Sequence, residues 1–113
     1  MVRKTNRRVA ENVRGGTGTI EFFDIVSAEE LNGHGTMYAE VHIKPHSTLG
    51  FHIHETNTEP YYILSGKGIF VDNDKSRTEV GPGDCCIIKV GEGHAMENPY
   101  DEDLVFMALI YNA

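Results

Sequence analysis

Turn-forming residues divide this chain into short segments that are rich in β-branched and aromatic residues. Ser27–Leu31 has helix-forming residues behind a possible N-cap, but Asn32 and Gly33 end it within a turn or two. The pattern therefore predicts an all-β sandwich or small closed barrel with at most one short helix. The predicted strands are 19–26, 36–44, 51–54, 60–64, 69–71, 77–80, 85–88, a short strand from His94, and 104–111.

The segment 36–44 shows the clearest strand alternation. Met37, Ala39, Val41 and Ile43 fall on one face, whereas the intervening positions are mostly polar. This alternation predicts a strand with one face packed on the core and the other in contact with solvent.

Two histidines separated by one residue lie in the predicted strand 51–54. His52 and His54 point to the same face of that strand, because successive side chains alternate between its surfaces. Glu59 opens the next strand, and His94 follows a later turn. Three neutral imidazoles and one carboxylate suit a divalent transition metal and leave one or two coordination positions open. The alternative is that the same residues are surface or core polar groups of a metal-free barrel.

Two groups of residues resemble the two sequence motifs of the cupin superfamily. The first motif is a His-x-His pair followed by Glu and Gly, and here it reads His52, His54, Glu59 and Gly66. The second is Gly, a proline turn, then Gly, His and Asn, and here it reads Gly83, Gly91, His94 and Asn98. The chain departs from the usual pattern in two turns, with His46 where Gly is common and Lys89 where Pro is common. The resemblance implies a double-stranded β-helix, the cupin jelly-roll barrel.

The metal expected at such a site is one divalent transition ion per chain. Mn, Fe, Co, Ni, Cu and Zn all accept nitrogen and oxygen donors. Affinity alone would favour Cu or Zn, so the physiological ion depends on supply and geometry, and we favour Mn or Fe.

Three further residues are candidates for the pocket or for orienting a ligand: Tyr61, Met96 and Asn98. Tyr61 shares the strand face of Glu59, but filling the barrel explains it equally well. Met96 is an apolar residue that suits packing, and Asn98 could instead secure a turn. No residue is identified as a catalytic acid or base. The remaining histidines are interpreted as surface residues: His34, His42 and His46.

Length, charge and cysteine content narrow the class of protein. A chain of 113 residues predicts one domain, with residues 1–14 as a solvated amino-terminal arm and 36–111 as the core barrel. The net charge of −7 disfavours nucleic acid and anionic membranes as partners. Cys85 and Cys86 are adjacent and cannot easily pair, and no apolar run suits a signal peptide or membrane span, so we expect a cytoplasmic protein.

The resemblance also bears on function. The segments 14–18 and 31–33 resemble small bacterial cupins that are named by fold or by analogy with oxalate decarboxylases, and such an analogy does not fix a reaction. We favour a metal-dependent enzyme acting on a small carboxylate or oxygen-rich metabolite by decarboxylase, dioxygenase or isomerase chemistry. The alternative is a non-catalytic module that binds or senses a small molecule. We also expect a homodimer, because pairing would cover exposed sheet edges and faces.

Overall fold

The structure is a computed structural model that describes residues 1–113, and its regular elements are almost all strands. Two single-turn 3-10 helices, Val13–Gly15 and Glu29–Leu31, are the helical segments, and neither is long enough to cross a membrane. The strands are β1 (Asn6–Glu11), β2 (Thr19–Val26), β3 (Gly35–Ile43), β4 (Ser47–Ile53), β5 (Asn57–Thr58), β6 (Tyr61–Ser65), β7 (Gly68–Val71), β8 (Arg77–Val80), β9 (Cys85–Cys86), β10 (Gly93–Asn98) and β11 (Leu104–Asn112).

The strands form two antiparallel sheets. The larger sheet has the order β1-β2-β3-β11-β6-β9, with β5 pairing on β11, and the smaller has the order β4-β10-β7-β8. The first three strands belong to the larger sheet, and from β3 onwards the chain crosses from one sheet to the other several times. This two-sheet arrangement confirms the predicted all-β class.

The hydrophobic core lies between the two sheets. In β3 the side chains of Ala39, Val41 and Ile43 are buried, as the alternation of the segment predicts. The smaller sheet contributes Phe70 and Met96 to the same cluster. Apolar side chains from both sheets therefore share one interior, and any polar group placed there must find its partners inside the protein.

The charged amino-terminal arm is exposed, and part of it is ordered as a strand. Six residues of the arm form β1, which pairs antiparallel with β2. The chain then turns at Val13–Gly15 and passes over β4, where Thr17 and Thr48 exchange hydrogen bonds: the Thr48 amide donates to the Thr17 carbonyl at 2.8 Å, and the Thr17 amide to Thr48 Oγ1 at 2.8 Å. The sequence pattern does not predict this strand, because the arm is rich in charged residues and lacks an alternating apolar face.

The turn between β3 and β4 contains a residue in a left-handed conformation. His46, at the position where cupins often have Gly, has φ of 58°. A side chain in this region is strained because its Cβ crowds the backbone. His46 therefore adopts the backbone geometry that this turn requires, but the strain lowers the free energy of unfolding of the protein.

Replacing His46 by Gly is expected to stabilise the protein by roughly 0.5 kcal/mol, since relief of strain exceeds the greater freedom of glycine in the unfolded chain. His46→Ala is the matched control and should show no gain, because it keeps the Cβ. Denaturant-unfolding midpoints would test this. Equal destabilisation by both substitutions would contradict the interpretation.

Candidate metal centre

Three histidines of the smaller sheet come together because of strand pairing. His52 of β4 lies directly opposite His94 of β10 in the antiparallel register. His54 follows β4 by one residue and returns to the face of His52, whereas the intervening Ile53 is 58% exposed. The three imidazole rings form a nearly equilateral triangle, with centroids 4.8–4.9 Å apart.

The larger sheet supplies the acidic group. Glu59 stands between β5 and β6 and reaches across the interior to the histidines. Its Oε1 lies 3.2 Å from Nε2 of His54 and 3.1 Å from Nε2 of His94. The side chains of Glu59, His54 and His94 are at most 5% exposed. The site therefore spans the two sheets.

The donor atoms have the spacing of a coordination sphere. One ligand atom from each of His52, His54, Glu59 and His94 lies within 4.8 Å of the others, and Nε2 of His54 is 3.1 Å from Nε2 of His94. Two donors bound at about 2.1 Å to one ion are about 3.0 Å apart at a right angle and about 3.4 Å apart at a tetrahedral angle. The separations of 3.1–3.2 Å among His54, Glu59 and His94 fall in this range, so these donors, with His52 beside them, fit a divalent ion.

Hydrogen bonds outside the cluster orient two of the rings. Nδ1 of His52 is 2.8 Å from the carbonyl oxygen of Gly50, and Nδ1 of His54 is 2.6 Å from Oδ1 of Asn57. Both partners are acceptors, so each Nδ1 carries the proton and donates it. In the neutral ring Nε2 then presents its lone pair to the interior, which is the tautomer that a metal requires.

His94 is oriented by packing instead. Its Nδ1 is buried and has no hydrogen-bond partner. The ring stacks on Tyr61, with centroids 5.0 Å apart and an interplanar angle of 19°, and meets Phe70 edge-on at 5.9 Å. The hydroxyl oxygen of Tyr61 lies 3.3 Å from Nε2 of His94, which places a phenol beside the cluster.

The protonation equilibria of the cluster agree with a cation site. Burial raises the pKa of Glu59, but hydrogen bonds from His54 and His94 outweigh it and lower the pKa to about 2. The same contact with Glu59 raises the pKa of His54, against burial and a smaller effect of Arg14. Burial lowers the pKa of His52 to about 4. The carboxylate is thus ionised and stabilises a positive charge beside it, which a proton or a metal ion can supply.

A cavity of about 170 Å³ leads to the cluster. Its polar lining includes His52, His54, Glu59 and Tyr61, and the larger sheet provides apolar walls. Further lining residues are Arg8, Val13, Arg14, Phe22, Met37, Val41, Leu49, Phe106, Ala108 and Ile110. The volume suits a ligand of a few non-hydrogen atoms.

The other candidate pocket residues occupy different places. Tyr61 lines the cavity, but Met96 and Asn98 do not. A register shift between His94 and Met96 interrupts the alternation of β10, and Met96 packs in the core. The amide of Asn98 donates to the carbonyls of Ile43 and Glu102 at 2.9 and 2.7 Å. Through these hydrogen bonds, Asn98 secures a turn.

The remaining histidines lie away from the cavity. His34 and His46 are exposed, and His42 is half-buried on the outer face of the larger sheet. His42, Glu21 and Asp103 form a second group with ligand-type atoms. Lys44 Nζ already contacts this group, at 3.3 Å from Glu21 and 2.9 Å from Asp103. We therefore interpret it as an ion-pair network.

Two arginines of the amino-terminal segment line the cavity, although the sequence pattern does not predict it. These residues are Arg8 and Arg14. Gly16 and Gly50 are the signal that was available, because a Cβ at Gly50 would collide with the carbonyl oxygen of Arg14 and one at Gly16 with that of Thr48. A glycine in each of two distant segments allows the two backbones to approach closely.

Comparison with known proteins agrees with this geometry. The model of the Cupin domain family matches residues 39–110. An oxalate-binding protein of Thermotoga maritima is 39% identical over 99 residues, which cover 88% of this chain and 81% of the relative. The crystal structure of a predicted oxalate decarboxylase of Thermotoga maritima superposes with a TM-score of 0.92 at 35% identity, covering 100% of this chain and 99% of the other.

A more distant structure shares the fold. A cupin-like protein of Thermotoga maritima has a TM-score of 0.77 at 18% identity, with coverage of 99% of this chain and 80% of the other. The family match, the relatives and the two-sheet architecture confirm the expected double-stranded β-helix. The chain belongs to the cupin family.

Proposed function

We propose that this cupin holds one divalent transition metal at His52, His54, Glu59 and His94, and that it binds a small carboxylate at the remaining coordination positions. The observation that carries the proposal is the convergence of four donor atoms within 4.8 Å of one another beside a cavity of about 170 Å³, which His52, His54 and Glu59 line. The oxalate-binding relative from Thermotoga maritima supports a small carboxylate as the ligand.

The residues of the chain have distinct tasks in this proposal. A divalent ion would supply Lewis-acid or redox chemistry and attract a carboxylate oxygen. Gly50 and Asn57 hold His52 and His54 in the tautomer that leaves Nε2 free. The apolar cavity walls exclude water and so strengthen the attraction between the ligand and its charged partners.

Binding without turnover is the mode that the cavity lining supports best. Apart from the proposed ligands His52, His54 and Glu59, the titratable groups that line the cavity are Arg8, Arg14 and Tyr61. Arginine does not release its proton, and burial raises the pKa of Tyr61 well above its ordinary value. A general base with a pKa near neutrality is therefore missing from the lining.

Turnover is the second candidate, and the hydroxyl of Tyr61 favours it. This group lies 3.3 Å from Nε2 of His94 and stays protonated, so it could donate a hydrogen bond to a substrate as charge develops. The solved relative described as a predicted oxalate decarboxylase supports the same candidate. Decarboxylation, dioxygenation or isomerisation of a small carboxylate would then be the reaction class.

The metal assignment predicts a difference between two histidine substitutions. Protein purified without chelators or added metal should contain about one transition metal per chain by elemental analysis. His52→Ala should lose most of it, because one donor is removed, whereas His42→Ala should keep it. Circular dichroism would verify that both variants fold. Full metal content in the His52→Ala variant would refute the assignment.

Calorimetric titration of Mn- and Fe-loaded protein with oxalate, together with oxygen-uptake and carbon-dioxide assays, distinguishes the two modes. We expect oxalate to bind the loaded protein and not the chelator-treated one. Binding without product would support the binding module, and product formation that falls in Tyr61→Phe would support the enzyme. No binding to either loaded form would refute the carboxylate proposal.

We further propose that two chains pair through the outer face of the larger sheet. Leu109 lies opposite Tyr38, and Met107 lies opposite Tyr62, on the side of the sheet that faces away from the core. Tyr62 is 52% exposed. Apolar side chains of this face include Phe23, Tyr38, Tyr62, Leu64, Val105, Met107 and Leu109, and apolar patches of this kind are typical of interfaces.

Light scattering at low micromolar concentration should give the mass of two chains. Tyr62→Lys should reduce it to one, because a charge would be buried in the interface. Ile53→Lys, a similarly exposed position on the smaller sheet, should remain a dimer. A monomeric mass for the unsubstituted protein would refute the proposed pairing.

The two cysteines support a reducing compartment such as the cytoplasm. Cys85 is exposed and Cys86 is buried, and both are free thiols. Burial raises the pKa of Cys86 to about 12, so this thiol is unreactive.

A further inference from the structure

The two arginines that line the cavity differ in how their charges are used. Nε and Nη2 of Arg8 donate to the two carboxylate oxygens of Asp24 at 2.6 and 3.0 Å. Its guanidinium carbon also lies 4.5 Å from the centre of the Phe22 ring. Arg8 is thus neutralised and held by groups of the protein itself.

Arg14 has no such partner. Its side chain takes part in none of the hydrogen bonds or ion pairs of the protein, although it is exposed and lines the same cavity as His52 and His54. A guanidinium carries five donors in a planar fork that matches a carboxylate. Arg14 is therefore a cation at the cavity with its full donor capacity available to a ligand.

The backbone holds Arg14 at this place. The residue has φ of 55° and ψ of 33°, a left-handed conformation that is uncommon for residues with a side chain. Its carbonyl oxygen packs against Gly50, two residues before His52 in the strand that leads to the site. The paired Thr17 and Thr48 fix the next part of the segment on the same strand. The position of Arg14 is thus tied to that of the histidines.

The charges of the cavity identify the ligand class. A divalent ion beside the ionised Glu59 leaves one net positive charge, and Arg14 adds a second, whereas Arg8 is cancelled by Asp24. We infer that Arg14 is a specificity-determining residue that binds the second carboxylate of a short dicarboxylate whose first carboxylate lies at the metal. This inference rests on the proposed function and narrows its ligand from carboxylates in general to small dianions.

The cavity volume accommodates such a ligand. A water molecule's share of liquid volume is about 30 Å³, so about 170 Å³ has room for about six water-sized groups, and small dicarboxylates such as oxalate and malonate fit. Oxamate provides a matched probe, because it has nearly the shape of oxalate but carries one negative charge less.

The experiment compares oxalate and oxamate binding to metal-loaded, full-length protein by calorimetry. The unsubstituted protein should prefer oxalate. Arg14→Gln should weaken oxalate binding at least about tenfold, as expected for loss of a charge-assisted pair, and should weaken oxamate less. Arg14→Lys should recover part of the preference. Arg7→Gln is the control, since it removes the same charge from the same segment at a residue paired with Glu21 outside the cavity.

The outcomes separate this inference from the function on which it rests. Elemental analysis should show equal metal in all variants, because Arg14 is not a ligand. If the unsubstituted protein binds neither oxalate nor malonate, the carboxylate proposal fails, and the inference with it. If it binds oxalate and Arg14→Gln binds equally well, or if Arg7→Gln loses as much, the inference is wrong while the proposed function stands.

Discussion

The convergence of three imidazoles and one carboxylate between two apolar sheets is the constraint on which this structure depends. Isolated polar groups are costly in such an interior, and an isolated charge is more so. Here Glu59 lies within 3.2 Å of two imidazole nitrogens, so the buried carboxylate is paired. The two sheets must hold these groups in register, because removing one partner would leave the other charge unpaired.

Strand pairing achieves this register with few contacts. His52 and His94 face each other across adjacent strands of the smaller sheet, and Glu59 arrives from the larger sheet. The ring of His94 is fixed by Tyr61, which also belongs to the larger sheet. Packing of the sheets against one another and the geometry of the site are therefore coupled, since a shift between the sheets would move Glu59 and Tyr61 away from the histidines.

The amino-terminal segment adds a charged residue to a barrel that already holds the histidine and glutamate cluster. β1 extends the larger sheet at its edge, and the following turn lies against β4 through the contact of Gly16 and Gly50 with neighbouring backbone. This contact brings a charged side chain, Arg14, to a cavity whose walls are mostly apolar. A free cation there complements the proposed metal, because both attract an anionic ligand and neither offers a base for proton transfer.

Local patterns predicted much of the fold. The strand at Thr19–Val26 begins and ends where its β-branched and aromatic residues do, and the alternation in β3 identified its buried face. Other boundaries moved: β4 begins at Ser47, because pairing with β10 extends it beyond its apolar residues. The sequence pattern does not predict β1, because its side chains are mostly exposed and the strand is stabilised by its hydrogen bonds to β2.

By itself, the sequence determined the fold class and the donor types of the site, because side-chain alternation in a strand places His52 and His54 on one face wherever that strand lies. The tertiary structure decided the rest. It set the distances among the four donors. A register shift places Met96 outside the cavity, and hydrogen bonds to backbone carbonyls hold Asn98 outside it. The fold also places Arg14 in the cavity lining. These outcomes depend on contacts between segments that are distant in the chain, and such contacts cannot be predicted from local periodicity.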